Sequence, residues 1–508
     1  MKIIQTSEIL PTQLSPQERE WVYNGLDCCV TSEILNTLLP QLDNHTQATY
    51  NFSRDLQGPV LEMRLKGILI DAARKAEVIE EYFGKMEKLE AQLERIVGES
   101  YGLWGFNWRP NSKDLPKLFY DIIGIPAITK MGRPTCDRAA LEKLEAYHIA
   151  KQPVKHIILL RDLLKKISML KTEVDPDGRM RTSYNIAGTT TGRLSSSFSE
   201  FGTGTNFQNI EESLRSVFIS DPGMKLAYLD AEQGESRVVG AIEGELFGDW
   251  TYLDACEWGD LHTAVARLVW PHDLPWTGDL GRDRKLAEQP YYRHYDRRFM
   301  CKKIGHGTNY GGKPRTIAGQ AKVEVRLIED FQPKYFRAFP AHLRWHEHVR
   351  QTLAREGYLV TLTGRKRWFM GKRDDESTIR EAIAFDPQGS LADILNRGML
   401  KVWRRRDCQV LMQIHDAILV QYPEGQEDEI IPRVLDALKY PVSLSRGREF
   451  IIPYGVATGW NWAKCSEENP DGLKAYRPGD KRRRAPEAKL MDREFRQLHR
   501  VSRKSGSF

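Results

Sequence analysis

Two stretches far apart in the chain each bring an apolar β run to an aspartate, and together they constrain the fold more than any other feature. In Gln409–Val420 the runs Val410-Leu411-Met412 and Ala417-Ile418-Leu419-Val420 flank the polar pair His415-Asp416, which is the pattern of a hairpin. His-Asp is poor chemistry for a two-residue turn, because the favoured turns need positive φ and select Asn-Gly or Asp-Gly. A local rule broken at a polar pair marks a place where function is expected. The other stretch, Met224–Asp230, reads as a strand ending on an acid and followed by Glu232, Gln233, Glu235 and Arg237. Alone, Asp230 reads as the cap of the next helix. Taken with Asp416 it reads as half of a pair, since two aspartates at the ends of separate β elements can converge on two Mg²⁺ ions about 3.5–4 Å apart, an arrangement suited to in-line phosphoryl transfer.

Between these stretches Arg298, Lys302, His306 and Tyr310 recur at four-residue steps and so share one broad face of a helix. The face is cationic at one end and aromatic at the other, although a solvated basic stripe has the same spacing. Gly305 and Gly307 lie within this helix, each costing roughly 1 kcal/mol relative to alanine. Close approach of something bulky would account for them.

The 508 residues suggest about three folding units. With 41% hydrophobic and 28% charged residues the chain falls in the ordinary globular range and outside the disordered and collagen-like classes. No apolar run approaches the roughly 18 residues of a membrane span, and the N-terminus lacks a secretory or transit pattern, so a cytoplasmic protein without a membrane partner is expected. The seven cysteines form no CxxC pair, which points to reduced thiols rather than a zinc ribbon or disulfide framework. The net charge is +6, but residues 473–508 hold twelve Lys/Arg against four Asp/Glu, leaving the rest near −2. A basic tail on a nearly neutral body suggests a polyanion partner, or a solvated end. Helical spacing is expected over 17–42 and 72–97, with a strand-like run at Gly67–Ile70. A helix through Leu115–Tyr120 is expected to be capped by Asn111 or Ser112. After about residue 175 the texture becomes a mixed α+β body.

Seven segments in order carry a resemblance: TTTGRLSS (189–196), NFQNI (206–210), LDAEQGESR (229–237), DLHT (260–263), the Arg298–Gly311 helix, TLTGRKRWF (361–369) and QIHDAILV (413–420). Each alone is weak, and the ordered set is specific. Over about residues 17–465 the chain resembles a family A, DNA polymerase I-like DNA polymerase. The resemblance implies an α+β right-hand polymerase fold: a truncated remnant of a 3′-5′ exonuclease domain (1–55), a thumb (72–172), a palm (173–239 and 351–465), fingers (240–350) and a basic C-terminal tail (466–508). It implies template-directed addition of deoxynucleotides to a primer 3′-hydroxyl, with primer-template DNA and deoxynucleoside triphosphates as partners and two Mg²⁺ ions as cofactors.

Residue by residue, the resemblance makes Asp230 and Asp416 the catalytic metal ligands, with the carbonyl of Ala231 a further ligand. Arg298 and Lys302 meet the triphosphate, and Lys302 protonates the departing pyrophosphate. His306 stands where the family usually stacks Phe or Tyr on the nucleotide, and Tyr310 marks the template-side end of the pair. Glu235 fills the space a 2′-hydroxyl needs, and Gln233 joins the nucleotide-binding set. Arg193, Gln388 and His415 contact the primer-template near the growing end, with Asn209 and Arg215 in support, while Asn111, Ser112 and Lys113 touch duplex backbone at the thumb tip.

Several positions depart from the family pattern. No acid follows Asp416; Glu232 either replaces it in space or is a solvated surface residue, the second reading being preferred. AFDPQGS (384–390) is short, with Gln388 still expected to open a helix, and the insertion between Trp270 and Tyr295 has no assignable counterpart. Tyr23 and Asp27 resemble the last exonuclease signature, with 22 residues before it, so no complete nuclease site is expected. A separate exonuclease subunit or a processivity factor then becomes a possible partner, and a phage-like source fits such trimming. A repair or translesion polymerase and a non-catalytic DNA-binding protein are the alternatives.

Overall fold

The computed structural model describes residues 14–479 apart from Phe201 and His294. The expected tail beyond residue 479 and the start of the expected exonuclease remnant lie outside the described residues. The chain divides into two compact units, one of Gln57–Ala241 with Leu391–Phe508 and one of Met1–Leu56 with Ile242–Ser390.

The first of these is built on a five-stranded antiparallel sheet in the order Gln409–Ile414, Ala417–Pro423, Met224–Ala231, Tyr454–Gly459, Lys474–Ala475. Leu226, Ala227 and Leu229 of the central strand are all buried, so both of its faces are covered and its sequence is apolar almost throughout. Even Lys225 is buried there, its ammonium paired with Glu427 and set 4.6 Å from the centre of the Trp460 ring. Partnering of this kind is what permits a cation in a core. The long Ala72–Tyr101 helix starts at Asp71, which accepts from the Arg74 N–H at 2.9 Å, and stops at Gly102, where φ of 70° suits a residue without Cβ. Its stripe of Val78, Tyr82, Met86, Leu93 and Val97 shares a core with Val154, Ile157, Leu160 and Ile167 of the Lys151–Leu170 helix. The helix expected over 115–120 is present as a short α-helical segment, Asp114–Pro116, that widens into a π-helix, Lys117–Ile122. Neither expected residue is the cap: Lys113 holds that position without a side-chain cap bond, Ser112 accepts from the Asp114 N–H at 3.1 Å, and Asn111 takes a left-handed φ of 65°.

The other unit packs helices Leu261–Val269, Arg297–Asn309, Val325–Ala338 and Pro340–Glu356 around Met300, Ile304, Phe331, Tyr335 and Trp345. The insertion after Trp270 is ordered around the fully buried Asp283, whose carboxylate accepts from the Thr277 N–H (2.7 Å), the Thr277 hydroxyl (2.8 Å) and the Gly278 N–H (2.9 Å) and pairs with Arg267 at 3.0 Å. The Pro16–Leu38 helix begins with a Ser15–Glu18 capping box and buries none of its residues, Tyr23 and Asp27 included. Among the described residues no helix is long and apolar enough to cross a membrane.

Gln388 does not open a helix. It lies inside a continuous Glu376–Arg405 helix that runs through Pro387, because Ile379, Ala382, Ile383 and Phe385 before the proline and Leu391, Ala392, Ile394 and Leu395 after it keep one buried helical pattern, which outweighs the hydrogen bond the proline removes. The residue before that proline, Asp386, accepts from the Leu362 N–H and the Ser390 hydroxyl, each at 2.8 Å. It lines a cavity of about 500 Å³ with Trp345, His348 and Tyr358. Burial pushes its carboxyl up to about 6. A raised folded pKa means that the contribution to stability is complete below the unfolded value, roughly 3.9, and is lost as pH rises through 6. Asp386→Asn is therefore expected to melt a few degrees above the parent at pH 8 and with a much smaller gap at pH 4.5. Equal gaps at the two pH values in thermal denaturation would contradict this.

Candidate active site

Strand register creates the acidic pair. Asp230 faces Ala417 on one neighbouring strand and Gly455 on the other. Asp416 is the turn residue just before Ala417, and its carbonyl accepts the N–H of Ala231 at 3.0 Å. With paired strands about 4.8 Å apart, both carboxylates reach the same end of the sheet. Desolvation, then the charges of Asp416 and Glu232, push the Asp230 carboxyl above its usual range. Glu232 is exposed, as expected, yet its charge still acts on Asp230.

The turn is a two-residue hairpin, and His415 carries the positive φ that the sequence chemistry disfavours, 51°. Such a residue costs on the order of 1–3 kcal/mol and is held only where its surroundings over-determine it. Here the brace is Tyr184, whose buried hydroxyl donates to the Gln413 carbonyl (3.0 Å) and accepts the Gln413 N–H (3.2 Å), while the Gln413 amide donates to the His415 carbonyl at 3.3 Å.

Two arginines border the pair. Arg193 bonds through Nη2 to Glu235 and lies 3.3 Å from Asp416 Oδ1. Glu235 sits in the first turn of the Gly234–Phe247 helix, a favourable place for an anion. The Arg215 guanidinium stacks 4.4 Å from the Trp462 ring centre and draws the Asp230 carboxyl back down. Gln233, at the foot of that helix, has a left-handed φ of 56°, and its buried amide oxygen has no hydrogen-bond partner. Asn209 is exposed on the short Phe207–Asn209 turn, and the residue of that turn that holds the 189–196 loop is Gln208, which donates to the Leu194 carbonyl at 2.7 Å.

Asp230, Asp416, Glu232 and Glu235 supply four negative charges against two positive ones from Arg193 and Arg215, a deficit of two. Among the described residues no set of three or more His, Cys, Asp or Glu is placed to hold a metal unaided. The unbalanced negative charge suits a divalent cation.

In the other unit the Arg297–Asn309 helix is capped by Asp296, which accepts from the Phe299 N–H at 2.6 Å. Lys302 and His306 are exposed on one face, Arg298 is half-buried, and Tyr310, just past the helix, meets His306 edge to face at 5.1 Å. The bulk expected beside the glycines is the protein's own: a Cβ on Gly307 would lie 3.1 Å from Ile317, whereas one on Gly305 would make only ordinary contact with Tyr335 at 3.7 Å. Gln388 lies in this unit, well inside its helix.

Asp260 and His262 carry no expectation from sequence, although both sit in the quoted DLHT. Asp260 accepts from Arg298 Nε at 2.7 Å and Nη2 at 3.3 Å and caps the Leu261–Val269 helix. Burial lowers His262 to about 4, with Arg298 and Lys302 adding to the effect, so it is neutral at pH 7. The insertion also reaches this helix. Arg297 lies 3.3 Å from Asp273 and 4.3 Å from the Tyr291 ring centre, and Glu288 is 4.0 Å from Arg298 Nε. At the expected thumb tip, Asn111, Ser112 and Lys113 line a cavity of about 510 Å³ together with Asp137, Arg138 and Arg161.

The model of DNA polymerase family A matches residues 74–464. The chain belongs to DNA polymerase family A. Similar family A members include the thermostable DNA polymerase I of Thermus aquaticus, 27% identical over 437 residues that cover 81% of this chain and 48% of that protein. DNA polymerase I of Pseudomonas aeruginosa is likewise 27% identical over 428 residues, covering 80% of this chain and 43% of that one. The chain thus spans about half the length of these relatives. Among solved structures, the polymerase domain of Pol1 from M. smegmatis in complex with DNA primer-template and dNTP matches with a TM-score of 0.65 and 23% identity, over 80% of this chain and 69% of that one. The family A chain therefore has the polymerase fold.

Proposed function

We propose that the chain is a template-directed DNA polymerase that adds deoxynucleotides to a primer 3′-hydroxyl. The observation that carries this is the register that sets Asp230 and Asp416 at one end of a sheet with a two-charge deficit. Bound there, two Mg²⁺ ions would activate the primer hydroxyl and stabilise charge on the phosphoryl oxygens. Asp230, Asp416 and the carbonyl of Ala231 are the groups that would hold them.

The chain's own residues do the rest. Arg298 and Lys302 steady the β- and γ-phosphate charge, and Lys302, exposed on its helix face, delivers a proton to the departing pyrophosphate. His306 and Tyr310 present ring surface to the nucleotide base. Glu235 occupies the 2′ position and rejects ribose. Gln233, whose amide oxygen lacks a partner, joins the nucleotide contacts. Arg193, Arg215, Asn209, Gln388 and His415 hold primer-template, and Asn111, Ser112 and Lys113 hold duplex backbone. Contacts of this kind go mostly to phosphate and sugar, so base pairing supplies the sequence. The same reading makes 72–172 the thumb, 240–350 the fingers, 173–239 with 351–465 the palm, 1–55 a segment of exonuclease-domain type and 466–508 a basic tail. The deciding measurement is extension of a labelled primer with Mg²⁺ and all four deoxynucleotides. Products should follow the template base by base, and binding without extension would leave a DNA-binding protein instead.

A further inference from the structure

Arg193 is held more firmly than a DNA contact alone would require. Its loop is fixed by three side chains: Asn396 donates to the Gly192 carbonyl (3.1 Å), the Thr189 hydroxyl to the Arg193 carbonyl (2.8 Å) and Gln208 to the Leu194 carbonyl (2.7 Å). The backbone on both sides of Arg193 is thereby pinned. From that anchor a single guanidinium nitrogen, Nη2, serves the Glu235 carboxylate at close range and Asp416 at 3.3 Å. Glu235 is the more enclosed partner, its side chain 14% exposed against 34% for Asp416.

We infer that Arg193 is a positioning residue for sugar selection, holding the Glu235 carboxylate in the place from which it excludes a 2′-hydroxyl. This rests on the polymerase reading and on the role given there to Glu235. A glutamate has three side-chain torsions, and fixing them costs on the order of 1.5–2 kcal/mol. A steric gate works only if its group stays within about 0.5 Å of its working position. The charge-assisted bond to a pinned arginine supplies that restraint. Asp416 is the partner able to give way, since it is the more exposed and the longer contact, and a divalent ion on Asp416 leaves the guanidinium to Glu235. The same group thus connects the metal ligand to the sugar gate.

The test is the ratio of kcat/KM for a deoxynucleotide to that for the matching ribonucleotide, measured for single additions on one primer-template. Any loss of primer-template contact caused by changing Arg193 affects both nucleotides and cancels in the ratio. Arg193→Ala and Glu235→Ala are each expected to lower discrimination by about tenfold or more. The double variant should be no worse than Glu235→Ala alone, because both changes remove one device, and Arg193→Lys should recover part of the ratio. If Arg193→Ala extends too slowly, equilibrium binding of the two triphosphates to the complex with a dideoxy-terminated primer gives the same ratio from Kd. A wild-type ratio for Arg193→Ala, or losses that multiply in the double variant, would overturn the inference while leaving the polymerase intact. A ratio unmoved by Glu235→Ala would overturn the gate itself, and the inference with it.

Discussion

Asp230→Ala and Asp416→Ala are each expected to slow single-nucleotide addition by on the order of 10³-fold or more, with primer-template affinity changed by no more than a few-fold. Each substitution removes one of the two carboxylates that can hold a divalent ion, while leaving in place the cationic side chains proposed to contact DNA. Unfolding will not mimic the result. The Asp230 carboxyl is pushed upward by desolvation and by Asp416 and Glu232, so the fold disfavours its charge and gains from its removal at neutral pH. Asp416→Ala releases Arg193 from one of its two acidic partners, which favours phosphate binding rather than weakening it. Rapid-quench extension and fluorescence anisotropy with labelled DNA separate the two effects. Extension within tenfold of the parent by either variant would sink the assignment of these carboxylates.

What could be read from sequence at this site was what broke a local rule. His415-Asp416 stood out because a hairpin was plain on both sides and its turn chemistry was wrong, and the structure shows the matching strain at His415, φ 51°. Asp230 was legible only through its partner, since a strand-ending acid is common. The helix carrying Arg298, Lys302 and His306 was legible from spacing, but not what lies beside its glycines. Gly307 accommodates the protein's own Ile317, while Gly305 would make only ordinary contact with Tyr335, and no one-dimensional pattern distinguishes an internal neighbour from a ligand.

What could not be read depended on contacts between distant positions. Arg193 reaches Asp416 across 223 residues, and Tyr184 braces Gln413 across 229. Neither bond leaves a trace in local propensity. Gln388 was expected, from the family resemblance, to open a helix, and Pro387 beside it does not mark a boundary here. Tertiary burial on both sides of that proline kept the helix intact. The insertion after Trp270 had no assignable counterpart in sequence, and it is organised by one carboxylate, Asp283, that gathers its hydrogen bonds from Thr277 and Gly278 and its ion pair from Arg267. A buried Asp of this kind has the same letter as an exposed one.

Arg298→Ala is expected to reduce kcat/KM for deoxynucleotide addition by about 10²–10³-fold, the usual loss when a charge-stabilising donor is removed from a phosphoryl-transfer site. It carries a second effect, because Arg298 is also the partner of Asp260. Burial pushes the Asp260 carboxyl up, but hydrogen bonds from Arg298 and Thr263 outweigh it and hold the group below its usual range. A carboxylate depressed in this way contributes stability above its unfolded pKa, and the contribution is lost as pH falls through the folded value. Removing Arg298 leaves that charge buried without its main partner, at a cost of about 1–3 kcal/mol at neutral pH. The cost should shrink toward the acid end of the carboxylate range. The two effects come apart in the double variant. Arg298→Ala with Asp260→Asn should recover most of the melting temperature, since no unpaired charge remains, while kcat/KM stays low. Arg298→Lys should also stay well below the parent in kcat/KM, because the fork that donates from both Nε and Nη2 to Asp260 cannot be reproduced by an ammonium. If catalysis returned together with stability in the double variant, Arg298 would be a structural partner of Asp260 and not a triphosphate ligand.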